Sequence, residues 1–172
     1  MTIEQDDIAR LYEEVAALQQ RVEDLEAFQA IQNLKSRYGA LADRRYTRKG
    51  PKSEPEIAAA AEALVQLFTE DAVWDGGPTL GVAEGHEAIR QRFLSPTLQF
   101  SWHYFVKPEI HVEGNEARGT WDILAPCTTT DGTPMWMSGV EHDRYRKVNG
   151  VWLHTHMKLD PVLMAPHAKG WA

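Results

Sequence analysis

Cysteine is nearly missing: Cys127 stands alone in 172 residues, which rules out an internal disulfide and any multi-thiolate metal site. A reducing cytoplasm is the expected home. Long apolar runs are missing too. No stretch approaches the roughly 20 residues that span a bilayer as a helix. The opening MTIEQDDIAR is acidic and polar, so neither a membrane span nor a secretion signal is expected. Basic charge is scarce: 18 Lys and Arg face 25 Asp and Glu, for a net −7. The cluster Arg44, Arg45, Arg48 and Lys49 is too short to follow a phosphate backbone, so nucleic acid is not an expected partner. Phosphate-cradling loops are also absent, since Gly76, Gly77 and Gly81 lie in turns without GxGxxG or GK[ST] spacing.

What remains is a chain with 43% hydrophobic residues, enough for one packed domain and against a mainly disordered one. Ile8, Leu11, Val15, Leu18, Val22 and Leu25 step 3-4-3-4-3, a heptad seam. After Leu25 the register changes to Phe28, Ile31, Leu34, Tyr38 and Leu41. The spacing predicts an N-terminal helical arm over 1–27, made for contact with another subunit or its own domain. The domain proper covers 28–172 and starts with a helix to residue 43. Residues 47–55 read as loop. A second helix is expected over 56–68, a short strand over 72–74 and a third helix over 85–94, ended by Pro96. From Ser101 onward the chain is rich in aromatic and β-branched residues. Strands are predicted at 102–112, 117–127, 135–147 and 151–159, separated by Glu-Gly-Asn, Asp-Gly-Thr-Pro and Asn-Gly turns. Three helices and an antiparallel meander give an α+β fold, a twisted sheet wrapped on helices as a cone with a pocket. The tail from Asp160 to Ala172 folds over the pocket mouth, meets a neighbouring subunit or stays loose.

Five pieces in order carry a family resemblance: Tyr38-x-x-x-x-Asp43, LFTEDAVWDGG, GHEAIRQRF, SWHYF and NGVWLHTH. Over roughly residues 28–160 the chain resembles the SnoaL-like branch of the NTF2-like superfamily. That resemblance implies a cone-shaped α+β barrel and, as in most known enzymes of the superfamily, no cofactor. It implies a small hydrophobic cyclic ligand and a homo-oligomer, with a trimer favoured over a dimer. Members include scytalone dehydratase, bile-acid 7α-dehydratase, hexachlorocyclohexane dehydrochlorinase and ketosteroid isomerase, so the fold alone does not name the reaction. In the dehydratase and dehydrochlorinase members, an Asp ending the first helix orients a strand His that abstracts a proton. Asp43 and His103 stand at those positions, and Tyr38 matches the tyrosine of the bile-acid dehydratase pattern. Asp122 resembles a further inward carboxylate, and Lys158, with His156 as competitor, resembles a basic residue on the last strand.

The chemistry of these residues supports the same roles. A neutral imidazole in an apolar pocket is a good general base near pH 7, and a carboxylate on its other N–H fixes the tautomer. The residues alone leave open that Asp43 caps a loop and His103 lines the core. Hydrogen-bond contact between them is the expectation that decides it. Tyr38 lies roughly 500° of helix before Asp43, so about 140° around it, and the two share a pocket only if the helix bends near Gly39. Asp122, if inward, is a buried acid able to protonate a leaving group. Trp74, Trp102, Trp121 and Met137, with His156, are candidate pocket walls for a flat ring. His154-x-His156 puts two rings on one strand face, which could serve a metal, but the pattern of a three-histidine site is incomplete and no metal is expected. Cys127 sits beside Pro126 without a nucleophile's context.

The reading is a small cofactor-independent lyase, a dehydratase acting on a hydrophobic, hydroxylated, ring-bearing substrate. Alternatives with the same dyad are isomerisation, cyclisation, dehydrohalogenation and loss of formaldehyde from an aromatic diol. A non-catalytic ligand-binding or assembly module is the alternative of another class.

Overall fold

The computed structural model describes residues 5–168. Helix α1 (Gln5–Asp43) is unbroken, so the two registers lie on one rod with different surroundings. Residues 5–26 are exposed throughout, and burial begins at Ala27. The domain half of the helix buries Ile31, Leu34, Tyr38 and Leu41, the second apolar series.

A two-residue ladder, β1 (Tyr46–Thr47) with β2 (Gly50–Pro51), interrupts the expected loop. Helix α2 (Glu54–Val65) starts at a capping box, with the Glu56 carboxylate accepting the N–H and O–H of Ser53. Its end falls three residues before the expected one, because Phe68 opens β3 (Phe68–Asp75) instead. The single turn α3 (Gly77–Leu80) and strand β4 (Val82–Glu84) precede α4 (Gly85–Leu94). The described residues thus hold four helices, one more than the pattern predicted. In the GHEAIRQRF piece, His86 Nε2 donates to the Phe68 carbonyl at 2.8 Å, fastening α4 to β3.

Strands β5 (Phe100–Ser101), β6 (Tyr104–Glu113), β7 (Glu116–Thr128), β8 (Pro134–Val148) and β9 (Val151–Pro166) complete the sheet. Its order is β4-β3-β9-β8-β7-β5, with β6 also on β7, and only β3–β9 is parallel. The sheet curls as a half-barrel around α1, α2 and α4, and Ile31, Leu64, Phe68, Ile89 and Met157 fill the space between them. The described part of the tail is no loose end: residues 161–166 extend β9 and pair with 135–139 of β8. Trp171 lies outside the described residues. No helix among them is long and apolar enough to cross a membrane.

Candidate active site

Alternation decides which side chains meet the helices. On β8, Glu141, Asp143 and Tyr145 turn inward, and on β7 Trp121, Ile123 and Ala125 do. Between β5 and β6, His103 and Phe105 face inward while Trp102 and Tyr104 are about half exposed. Gly39 allows this segment to approach. A Cβ there would stand 3.1 Å from Phe105 and 4.0 Å from that of His103.

The result is the Asp43–His103 contact. His103 Nδ1 lies 2.6 Å from Asp43 Oδ1, and the His103 backbone N–H donates to both carboxylate oxygens at 3.2 and 3.1 Å. An ionised Asp43 accepting Nδ1–H leaves Nε2 as the basic nitrogen. The ring lines a small cavity walled by Tyr38, Trp74, Leu80, Ile123, Met137, Met157 and Leu159 and by the carboxyl groups of Asp75 and Glu141. Tyr38 is buried, and its hydroxyl accepts a hydrogen bond from Trp74 Nε1 at 2.9 Å. Burial raises the phenol pKa, so Tyr38 stays a proton donor. Helix α1 is unbroken from Tyr38 to Asp43; Tyr38 lines the cavity, and Asp43, which does not, reaches it through His103. Arg45 anchors this helix end, donating to the carbonyls of Ala42 and Phe93 at 3.1 and 3.2 Å.

The model of the SnoaL-like domain family matches residues 23–158, most of the chain. The chain belongs to the SnoaL-like domain family. No curated protein sequence matches it. Among solved structures, a hexachlorocyclohexane dehydrochlorinase, LinA type 2, superposes with a TM-score of 0.72 at 20% identity, covering 88% of this chain and 97% of that one. The LinA-type 3 enzyme of Novosphingobium barchaimii gives 0.71 at 19% identity, covering 88% and 98%. A protein provisionally named scytalone dehydratase, from Novosphingobium aromaticivorans, gives 0.68 at 21% identity, covering 84% and 89%. At such identities the likeness establishes the fold and not the reaction.

Within this SnoaL-like domain, Trp74 and Met137 line the cavity as expected, and other candidates do not. Asp122 faces outward beside Lys107, because Trp121 and Ile123 take the inner positions of β7. Lys158 is also on the outer face, bonded to Asp160 at 2.9 Å. His156 joins it there. A β-bulge at Thr155 pairs His154 with Tyr145 but His156 with Arg144, so the two rings point to opposite faces. Lys158, His156, His142 and Arg144 line an open polar recess of about 430 Å³ on that outer side, remote from His103. Trp102 is 48% exposed and forms no wall. Trp121 is buried core, donating to the Tyr145 hydroxyl at 2.9 Å rather than lining the cavity. No group of three or more His, Cys, Asp or Glu among the described residues is placed to hold a metal.

Sequence reasoning missed a second constellation. Lys35, fully buried on α1, donates to Glu141 and, at 2.7 Å, to Asp143. Asp143 also accepts the Tyr145 hydroxyl at 2.8 Å. His154 lies against the rings of Phe68 and Tyr145, and neither of its nitrogens has a hydrogen-bond partner. Desolvation holds it neutral, with a pKa lowered to about 3. The only signal was faint: Glu141, Asp143 and Tyr145 alternate along a strand, and a lysine falls one position after Leu34 in the apolar helix series.

Proposed function

We propose that the chain is a lyase working with its own side chains, most simply a dehydratase for a hydrophobic ring-bearing substrate. His103 Nε2 takes a proton from carbon, and Asp43 holds the imidazolium that forms. Tyr38, its lone pair occupied by Trp74 Nε1, directs its own O–H toward an oxygen gaining negative charge. The observation that carries this reading is the 2.6 Å Asp43–His103 contact on a ring that lines the interior cavity beside Tyr38.

The free space there is about 40 Å³, room for only a few waters. A ring therefore enters by displacing side chains. Met137 is adaptable, and Leu80 rides on the single turn α3 between Gly77 and Gly81, whose φ values are 72° and 76°. We infer further that the protein works as an oligomer, because the six heptad residues of the arm are between 43% and 68% exposed on a single chain.

The test is a thermal-shift screen against hydroxysteroids, aromatic polyketides and aromatic diols, followed by turnover of any ligand found. A ligand at a hundred times its Kd adds about 2.7 kcal/mol, seen as several degrees. His103→Ala is expected to bind the ligand and to lose turnover by about 10²–10⁴-fold. Full turnover in that variant would sink the assignment.

A further inference from the structure

The interior beside the cavity holds two carboxylates against one ammonium. Glu141 and Asp143 share the single Nζ of Lys35; Lys35 and Asp143 are sealed from solvent, and Glu141 is buried at the cavity wall. Among the described residues no second ammonium or guanidinium bonds to either carboxylate. Tyr38 and Tyr145 are phenols kept protonated by burial, and His154 is neutral. His103 is committed to Asp43. An uncompensated negative charge in such a place is costly, and one bound proton removes it.

Geometry chooses the carboxyl that carries the proton. Asp143 accepts two hydrogen bonds on one oxygen, from Lys35 and from the Tyr145 hydroxyl, and its other oxygen is enclosed without a hydrogen-bond partner. Glu141 accepts only from Lys35, and it alone of the three lines the cavity with His103 and Tyr38. Burial raises its pKa, with Lys35 and, more weakly, His103 opposing and Asp143 reinforcing.

We propose that Glu141 is the general acid of the reaction, a protonated carboxyl seated on Lys35 that protonates the leaving oxygen while His103 removes the carbon-bound proton. This assignment rests on His103 being the base, and it points to a cyclic substrate with a hydroxyl β to an activated C–H, such as a β-hydroxy ketone. The C–H electron pair becomes the new C=C bond as its proton passes to His103 Nε2. The C–O bond breaks with its pair on oxygen, which takes the proton of Glu141 and departs as water. The enzyme is left with a His103 imidazolium on Asp43 and with two carboxylates on Lys35, whose excess negative charge favours reprotonation of Glu141. Loss of one proton and uptake of another from solvent restore the starting state. Asp122, the acid expected from the sequence, stands on the wrong face for this step.

Infrared spectroscopy of the wild-type protein at pH 7, with and without ¹³C-labelled glutamate, tests the protonation directly. A carboxylic-acid carbonyl band that shifts on glutamate labelling and disappears in Glu141→Gln is the expected result. A band that fails to shift with the label, or that survives Glu141→Gln, overturns the assignment. A second arm compares elimination from a cyclic β-hydroxy ketone with its β-chloro analogue, because chloride leaves without a proton. Glu141→Gln is expected to lose about 10²–10⁴-fold on the hydroxyl substrate and to retain chloride elimination. Equal effects on both substrates make Glu141 structural and refute the proposal. His103→Ala is expected to lose both reactions; if it keeps both, the base assignment has failed, whatever Glu141 does.

Discussion

Helix α1 meets the sheet side through two ionic contacts about two turns apart, and they are built on opposite plans. At Asp43 one carboxylate meets one imidazole at the edge of a cavity, with the backbone N–H of His103 as a further donor. At Lys35 one ammonium meets two carboxylates in the buried interior. The first pair fixes a tautomer and an orientation. The second fixes a protonation state and holds α1 against β8. A fully buried ammonium without its partners is among the least tolerable groups in a fold, whereas a part-exposed pair is readily replaced by water.

Substitutions at the two contacts should therefore separate stability from chemistry. Denaturant unfolding of Glu141→Ala/Asp143→Ala, which leaves Lys35 buried and unpaired, is expected to show a loss of about 3–5 kcal/mol or more. Asp43→Asn keeps shape and some hydrogen bonding, and a loss below about 1.5 kcal/mol is expected. On turnover Asp43→Asn should still fall by about 10²-fold or more, through loss of the base's orientation. Equal stability costs at the two sites would break the contrast.

Acid and alkali should each destabilise the buried cluster, through different groups. His154 has a folded pKa of about 3, below its ordinary value of 6.5, so the unfolded chain binds the extra proton and stability falls as pH drops below 6.5. Between pH 7.5 and pH 5 that single group removes about 2 kcal/mol, and His154→Phe, filling a site ringed by Tyr38, Phe68 and Tyr145, should abolish the loss. Glu141 has a raised folded pKa, so its contribution is full below 4.5 and is lost as pH rises through the folded value. Glu141→Gln should flatten that alkaline decline. Urea titrations across pH check both signs, and a His154→Phe curve parallel to wild type would refute the first.

Gly39 tests whether the dyad depends on close packing. An alanine methyl would press on Phe105 at 3.1 Å, costing about 1–3 kcal/mol, while the better helix propensity returns 0.5–1. A net loss of about 1 kcal/mol is expected, with turnover falling further than stability because Phe105 stacks on the His103 ring. Unchanged turnover would show that the base tolerates a shifted helix.

The two contacts also differ in how legible they were. Asp43 and His103 each sit in a recognisable piece of sequence, and the order of those pieces located them before any coordinates. Lys35 sits beside an apolar stripe, where a charged residue normally reads as solvated, and Glu141 and Asp143 looked like ordinary strand charges. Their meaning depends on a curl of the sheet that turns alternate residues of β8 onto α1. Strand existence was readable from β-branched runs and turns, but facing was not: one bulge at Thr155 sent His156 and Lys158 outward. Glu141 and Asp122 both stand on central strands, and only the inner position of one gives it access to the cavity.

The smallest effect on the domain is expected at its most conspicuous apolar feature. Residues 5–26 bury nothing within the chain, so deleting them should leave the unfolding midpoint of the domain within about 0.5 kcal/mol once assembly is accounted for. The association state is where the change should show. Light scattering is expected to return a mass well above 19.5 kDa for the full chain and a lower multiple for the shortened one. A full-length mass of 19.5 kDa would leave Ile8, Leu11, Val15, Leu18, Val22 and Leu25 facing water and refute the oligomer. An unchanged multiple after deletion would move the contact from the arm to the sheet. That second outcome would implicate the open recess around His142, His156 and Lys158, because its charges would then meet a neighbouring subunit rather than solvent.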